Sequence, residues 1–349
     1  MSLSYTEIVI LHCLQRIEGQ RTVYSVFHLL NGKKTSQTIQ DAHLFHLSAF
    51  FHLFPSLTRK EFTDYIKRME NEQLIIQKED LHFVVPKRDH WKAVDANILP
   101  KYVDGWRYHR YSRMLWERIS LLVQVISHLN KQNQKYLPIQ TKKELHVWLK
   151  KYLVQSKMSR EDLAQGIYNE LYTCLSHDDD INPVIFVIRL TGFNKIGLTA
   201  SQAAEKLKME NDVYHIHFLN ILHCILQKAD ESPEKFPLLN RLMTDVDKLT
   251  SLLTISASRT YRLIQKGFAL DEISISRNLK RGTIEDHIVE IALNISDFKI
   301  DQYVSQLKQQ LIVEASKKLT SKQLKHIRQS VPEADYFEIR LVLAKNGIR

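Results

Sequence analysis

The most compact group of potential metal ligands in the sequence is the run HDDD, His177 to Asp180, and the next is HIH, His215 to His217. Such side chains could hold a divalent cation for hydrolysis. Consecutive residues point in different directions on a helix or strand, so neighbours in sequence converge on one ion only in a specialised loop. We therefore expect a solvated acidic loop before Pro183 and no metal or cofactor. A metal-dependent hydrolase is the third of three functional hypotheses.

Other catalytic arrangements are missing from the sequence. It contains no HExxH pair, nucleophile elbow or DExH-type acidic motif, and Gly32 and Lys33 lack the preceding glycine that a GxxxxGK[ST] phosphate loop requires. The three cysteines, Cys13, Cys174 and Cys224, lie far apart and form no CxxC pair, which is typical of buried free thiols. The sequence predicts a non-catalytic protein without an ATPase motor.

The charge balance favours an anionic partner. Lysine and arginine number 49 against 39 acidic residues, a net charge of +10, which makes DNA a candidate partner although the cations are scattered. The opening MSLSYTEIVILHCL has no basic n-region and reads as an amphipathic helix, and no apolar run approaches the roughly 18 residues of a membrane span. We expect a cytoplasmic protein, with association with the nucleoid left open.

The composition predicts a mainly α fold. Only nine glycines and eight prolines are present in 349 residues, too few for a turn-rich β protein. This length favours more than one compact unit. We predict a winged-helix-like domain over residues 1–90, a helical bundle over 91–250 and a helix-turn-helix domain over 251–349.

The N-terminal region has the pattern of a winged helix. Apolar residues recur at helical spacing from Tyr5 to about Leu53, and Thr58 with Glu61 predicts a capping box that opens a further helix. Two β-prone runs then flank a polar tip, residues 78–80, which predicts a small hairpin. The basic residues on the exposed side of that helix are candidates for DNA contact, with protein docking as the alternative: Arg59, Lys60, Lys67 and Arg68.

The sequence pattern in the middle of the chain predicts a helical bundle. The segment WRYHRY, from Trp106, crowds aromatic and basic side chains at the start of a long helix, where they could stack on bases but more often form a seam between domains. Further helical patterns continue to the polar stretch ADESPEKFP. Within them, residues 197–222 resemble a degenerate helix-turn-helix with Ala203 and Leu207 on its first helix.

The segment SRTYRLIQKGFALDEISISRNLKRGTIEDHIVEIALN, residues 258–294, carries the strongest pattern. Gly267 ends one predicted helix, a second starts near Leu270 with Ile273 pointing inward, and Thr283 is the predicted N-cap of a third. The buried stripe of that third helix is predicted at Ile284, Ile288 and Ile291. These features define a tri-helical helix-turn-helix.

The surface of this domain leaves its ligand open. The candidates for DNA contact are Arg277, Lys280, Arg281, Thr283 and His287. We expect Glu285, Asp286 and Glu290 to put negative charge on the exposed face of the third helix. This charge would repel the phosphate backbone of DNA. DNA contact, sequence-independent if it occurs, and protein docking both remain open.

The spacing of this domain resembles the helix-turn-helix domain at the C-terminus of bacterial RecQ-type helicases. The resemblance continues through ASKKLTSKQLKHIRQSVPEADYFEIRLVLA and covers about residues 255–349. The whole layout, without an ATPase, resembles the YpbB family of Firmicutes, whose members are encoded beside a RecQ-like helicase. That resemblance implies a non-catalytic helicase accessory in DNA repair or recombination, with a RecQ-type helicase as partner. A helix-turn-helix transcriptional regulator is the alternative.

Overall fold

The structure, a computed structural model, describes residues 3–86, 98–133, 135–176, 178–246, 253–318 and 324–346. These residues are mainly helical, as predicted, and contain one two-stranded sheet. The chain divides into two compact units: the first combines Met1–Asp95, Gly105–Arg107 and Lys248–Arg349, and the second combines Ala96–Asp104 and Tyr108–Asp247. The predicted domain boundaries near residues 90 and 250 lie outside the described residues, so the three-domain division stays a prediction.

The first unit starts with helices and a short 3-10 turn. In order these are α1 (Tyr5–Ile17), α2 (Val23–Asn31), α3 (Ser36–Leu44), the 3-10 turn Ser48–Phe50 and α4 (Arg59–Asn71). The predicted capping box opens α4: the Glu61 carboxylate accepts the Thr58 backbone N–H at 2.8 Å, and the Thr58 hydroxyl accepts the Glu61 N–H. Phe62, Ile66 and Met69 are buried on one side of α4, as its amphipathic pattern requires.

The predicted hairpin follows α4 and completes the winged-helix-like part. Strand β1 (Ile76–Glu79) pairs antiparallel with β2 (His82–Val84), placing Ile76 opposite Val84. Its tip is shorter than predicted because residues 78 and 79 continue β1, which leaves Asp80 and Leu81 to make the turn. Leu81 takes a φ of 59°, a left-handed conformation that tight hairpin turns demand.

Helix α5 (Gly105–Asn130) begins with a turn that belongs to the first unit. A Cβ on Gly105 would lie 1.9 Å from the carbonyl oxygen of Phe51, so only glycine fits this close approach. The Trp106 ring packs edge-on against Phe51 and His43, with centroid separations of 5.0 and 5.2 Å. Trp106 is therefore a packing residue rather than a platform for nucleic acid bases.

The second unit is a helical bundle. After α5 come α6 (Lys143–Ser156), α7 (Arg160–Leu175), α8 (Val184–Val187), α9 (Ala200–Lys206), α10 (Asn211–Glu231) and α11 (Pro237–Arg241). Helix α10 is buried along most of its length and packs against α7, α8, α9 and α11. Cys174 and Cys224 lie in this core as buried free thiols, and Tyr108 packs there against His223.

The chain then returns to the first unit. Its closing helices are α12 (Ile255–Gln265), α13 (Leu270–Arg277), α14 (Arg281–Asn294), α15 (Gln306–Lys318), α16 (Leu324–Ser330) and α17 (Tyr336–Asn346). Helix α14 is central: it contacts α12, α13 and α17, and α3 from the N-terminal part also packs on it. Across the described part of the chain, no helix combines the length and apolar character that a bilayer crossing needs.

Candidate functional site

The three helices α12, α13 and α14 form the predicted helix-turn-helix. Gly267 follows α12 with a φ of 87°, as predicted for a glycine that ends a helix. Asn278 ends α13 in the left-handed region, with a φ of 50°. The Ser274 hydroxyl donates to the Leu279 carbonyl at 2.6 Å and ties the turn to α13, while Ile273 is buried as expected.

The predicted stripe of α14 is confirmed, because Ile284, Ile288 and Ile291 are fully buried. The start of the helix differs from the prediction. Lys280 is the N-cap and supplies no side-chain hydrogen bond, so Thr283 lies half-buried inside the first turn and its predicted capping role was wrong.

Helix α14 is buried well beyond this stripe. Glu290, expected on the exposed face, is buried, and that expectation was wrong. Its carboxylate accepts hydrogen bonds from the backbone N–H and, at 3.0 Å, from the hydroxyl of Thr254, the N-cap of α12. Glu290 thus fixes the start of α12 on α14, and these bonds offset the cost of burying a carboxylate.

His287 is also an internal residue. Its side chain is buried, and Nδ1 is hydrogen-bonded to the Thr260 hydroxyl of α12 at 2.9 Å. Burial and the nearby positive charge of Arg277 lower the pKa of His287 to about 4. The imidazole is therefore neutral at pH 7 and serves the contact between α12 and α14.

Arg277 is used within the domain as well. Its guanidinium donates to the Ser256 carbonyl at 2.8 Å, to the Ser256 hydroxyl at 3.0 Å and to the Thr260 hydroxyl. These bonds hold the end of α13 against α12. An arginine held by these internal hydrogen bonds would have to give them up to bind a ligand.

The other charged residues near the turn differ in whether their side chains form ion pairs. Arg281 is exposed but donates to Asp271 at 2.8 Å and to Glu285 at 3.1 Å. Asp286 is paired with Arg340 of α17 at 2.6 Å, so its charge is partly neutralised. Lys280 is exposed at the turn. Of the five residues selected from the sequence in this domain, Lys280 is the one that is exposed and makes no side-chain hydrogen bond or ion pair with another described residue.

A second group of cations was missed at the sequence level. Arg259 and Arg262 of α12, and Lys266, the C-cap residue that directly follows it, are exposed and spaced by three and four residues, which places them on one side of the helix. We call these three residues the α12 basic face. Their spacing by three and four residues was the signal that the sequence offered for this face.

The four candidate residues of α4 also include some that contact other residues of the fold and some that are simply exposed. Arg68 forms an ion pair with Glu7 of α1, whose side chain is fully buried. The Arg59 guanidinium lies over the Tyr24 ring, 4.3 Å from its centroid, and hydrogen bonding to Arg59 lowers the pKa of Tyr24. Lys60 and Lys67 are exposed. Two of the four candidates on α4 thus have structural partners.

The acidic run before Pro183 does not assemble a metal site from the residues described. His177 lies outside those residues, and Asp178 accepts hydrogen bonds from the Tyr102 hydroxyl and, at 3.1 Å, from Lys101. In the part of the chain that the structure describes, no three His, Cys, Asp or Glu side chains cluster closely enough to hold a metal ion.

The geometry of α12 to α14 defines the chain as a helix-turn-helix protein. A family model described as "Helix-turn-helix domain" matches residues 256–343, in agreement with the extent that the sequence pattern predicts. The chain also belongs to the YpbB family. It is 34% identical over 351 residues to Protein YpbB of Bacillus subtilis (strain 168), a match that covers 99% of this chain and 98% of that protein. No solved structure matches it significantly.

Proposed function

We propose that this protein is a non-catalytic accessory of a RecQ-type DNA helicase and supplies DNA or protein contacts in repair or recombination. One observation carries the proposal: a helix-turn-helix domain resembling the closing domain of those helicases lies in a chain without a phosphate loop. Such a chain cannot couple ATP hydrolysis to unwinding through that motif. In this proposal the protein contributes binding to DNA or to the helicase, and the helicase performs the ATP-driven unwinding.

The burial of α14 favours phosphate contact over base reading. A recognition helix enters the major groove with an exposed face, whereas His287 and Glu290 of α14 are buried and hydrogen-bonded within the domain. The α12 basic face and Lys280 present exposed cations. Cations that meet phosphates position a protein on DNA without reading its sequence. This arrangement supports sequence-independent DNA binding over a transcriptional regulator with a defined operator.

The test is a helicase assay with the full chain. Unwinding of a forked DNA duplex by a RecQ-type helicase is measured with and without the wild-type protein, and co-purification of the two proteins is assayed in parallel. We expect co-purification and a change in unwinding rate. Failure of both at micromolar concentration would overturn the helicase role.

A variant pair identifies the surface that the role uses. Arg259→Gln combined with Lys266→Gln removes two charges from the α12 basic face, and Lys150→Gln combined with Lys151→Gln removes two exposed charges from α6. We expect the first pair to weaken DNA binding and the second to leave it near the wild-type value. Equal weakening by both pairs would show that net charge, and not this face, determines DNA binding.

A further inference from the structure

Two of the three cysteines meet in the core of the second unit. Cys174 is the penultimate residue of α7, and Cys224 lies in the middle of α10, a helix that packs against α7. Both are free and fully buried. The Cys224 sulfur lies 4.0 Å from the Cys174 carbonyl oxygen, and the two thiols hydrogen-bond to each other. The fold thus pairs two thiols that are 50 residues apart in the sequence.

A lysine lies beside this pair. Lys228 follows Cys224 by about one turn of α10, and its Nζ donates a hydrogen bond of 2.8 Å to the Cys174 carbonyl, the oxygen that the Cys224 sulfur also approaches. The same Nζ lies 3.8 Å from the Asp178 carboxylate. The Lys228 side chain is 23% exposed, so solvent reaches this lysine next to the buried sulfurs. The thiol pair therefore adjoins a charged, partly hydrated group and not only apolar side chains.

The two thiols differ in acidity. The hydrogen bond from Cys174 lowers the pKa of Cys224, and the positive charge of Lys228 lowers it further, against the opposing effect of burial. The same hydrogen bond raises the pKa of Cys174, and burial adds to this increase. The thiolate is the reactive form of cysteine. Cys224 is therefore the sulfur that reacts first, while Cys174 stays protonated beside it.

The third cysteine provides the contrast. Cys13 is buried in α1 of the first unit, whereas Cys174 and Cys224 both belong to the second. Burial raises the pKa of Cys13. A buried thiol in apolar surroundings is inert. Cys13 is thus an internal reference for the chemistry of the pair.

We propose that Cys174 and Cys224 form a redox site, at which a peroxide converts the two thiols into a reversible disulfide. In the first step the Cys224 thiolate attacks one oxygen of hydrogen peroxide, the O–O bond breaks, and a sulfenic acid forms on Cys224. The departing hydroxide takes up the proton that Cys224 had lost and becomes water. In the second step the Cys174 sulfur attacks the Cys224 sulfur, the S–O bond breaks, and the hydroxyl leaves with the Cys174 proton as a second water. Two thiols are oxidised by two electrons and one peroxide is reduced to two waters.

The position of Cys174 suits this reaction. A disulfide requires a sulfur–sulfur distance of about 2.05 Å, shorter than the separation of hydrogen-bonded thiols, so the side chains must move together. Cys174 is next to the end of α7, where a helix is least constrained, so the adjustment falls at a helix end. The bond would close a loop of residues 174–224, and such a loop restricts the unfolded chain. Oxidation should therefore stabilise the second unit.

The experiment uses the full chain, first reduced and then exposed to hydrogen peroxide at concentrations up to the millimolar range. Remaining thiols are blocked with iodoacetamide in denaturant, and the protein is digested without reduction for mass spectrometry. We expect a linked peptide pair that joins Cys174 to Cys224 and separates on treatment with a dithiol, with Cys13 fully alkylated. Full alkylation of Cys174 and Cys224 after peroxide, or linked peptides that contain Cys13, would overturn the proposal.

Serine variants test the order of the two steps. Cys174→Ser should leave a sulfenic acid on Cys224 that dimedone labels, whereas Cys224→Ser should leave Cys174 unlabelled. Cys13→Ser is the matched control and should form the disulfide at the wild-type rate. Equal dimedone labelling of the two single variants would contradict the assignment of Cys224 as the first sulfur to react.

Lys228→Gln tests the contribution of the lysine. Loss of its charge should slow disulfide formation by about three- to ten-fold, because less of Cys224 is then thiolate. Lys235→Gln, an exposed position beyond the end of α10, should leave the rate unchanged. Equal rates in the two lysine variants would overturn the role of Lys228 in this site.

Thermal unfolding measures the consequence of the bond. The oxidised wild-type protein should have a higher Tm than the reduced protein, and peroxide should cause no such increase in Cys224→Ser. A lower Tm after oxidation would show that the bond strains the bundle and would overturn its stabilising role. DNA binding under reducing conditions should be the same in the serine variants and the wild-type protein, so this site is tested independently of the helicase role.

Discussion

His287 Nδ1 and Thr260 Oγ1, 27 residues apart, are joined by a hydrogen bond of 2.9 Å between the third and first helices of the helix-turn-helix. Arg277 donates to the same Thr260 hydroxyl from the end of the second helix. One buried hydroxyl therefore connects all three helices. This polar contact accompanies the isoleucine stripe in fixing how the helices pack.

The buried imidazole makes stability depend on pH. The pKa of His287 falls from 6.5 to about 4 in the fold, because burial and the charge of Arg277 disfavour the protonated ring. Between those values the unfolded chain binds more protons, so the free energy of unfolding decreases as the pH falls from 7 toward 4. The limiting slope is about 1.4 kcal/mol per pH unit for one proton. We expect a shallower decrease in His287→Gln, measured by denaturant unfolding at several pH values.

His43 provides an internal reference for this measurement. Burial lowers the pKa of His43 to about 4, and the wild-type and His287→Gln proteins share its contribution. The difference between the two proteins therefore isolates His287. Parallel stability curves for the two proteins would contradict the assignment of a neutral, buried imidazole at position 287.

The isoleucine stripe predicts a large effect of truncation in α14. Ile288 is fully buried, so Ile288→Ala removes apolar contacts and leaves a cavity, at a cost of about 3 kcal/mol in the free energy of unfolding. Ile275 is 82% exposed on α13, and Ile275→Ala should change stability by less than about 0.5 kcal/mol. Denaturant unfolding of both variants tests the contrast. Similar losses at the two positions would contradict the assigned packing.

The stripe illustrates which features the sequence can predict. Ile284, Ile288 and Ile291 repeat at helical spacing, and local periodicity is sufficient to place them inside. Glu290 follows the same local rule for an exposed residue, yet it is buried. The reason lies 36 residues away, in Thr254, whose backbone N–H and hydroxyl donate hydrogen bonds to the Glu290 carboxylate. Contacts between distant segments leave no periodic signal in one sequence.

The candidate site also combines features that the local sequence predicts with features that depend on contacts between distant segments. The turn chemistry of Gly267 is local and was predicted, whereas the involvement of Arg277 and His287 with Thr260 depends on how α12 packs against its neighbours. The central position of α14 also depends on α3 and α17, which lie far from it in sequence. The helix-turn-helix pattern alone therefore predicts that more residues of the third helix are exposed than the structure shows.

The ion pair between Arg68 and Glu7 predicts a stability role for a residue first considered for DNA contact. Glu7 is fully buried, and Arg68→Ala would leave its carboxylate without a cationic partner. Since Arg68 is 47% exposed and water can enter part of the space, we expect a loss of about 2 kcal/mol, below the range for fully buried pairs. The adjacent Lys67→Ala, an exposed position, should cost less than about 0.5 kcal/mol. Thermal or denaturant unfolding measures both.

The α12 basic face predicts a specific change in the salt dependence of DNA binding. Each phosphate contact contributes about 0.9 to the slope of log affinity against log salt concentration, through release of a counterion. Lys266→Ala should therefore reduce the slope by about one and weaken binding to different DNA sequences by a similar factor. Lys150→Ala, at an exposed position of α6, should leave the slope unchanged. Titrations of two unrelated duplexes at several salt concentrations provide the measurement. A loss confined to one of the duplexes would instead indicate sequence reading at α12 and contradict phosphate contact by this lysine.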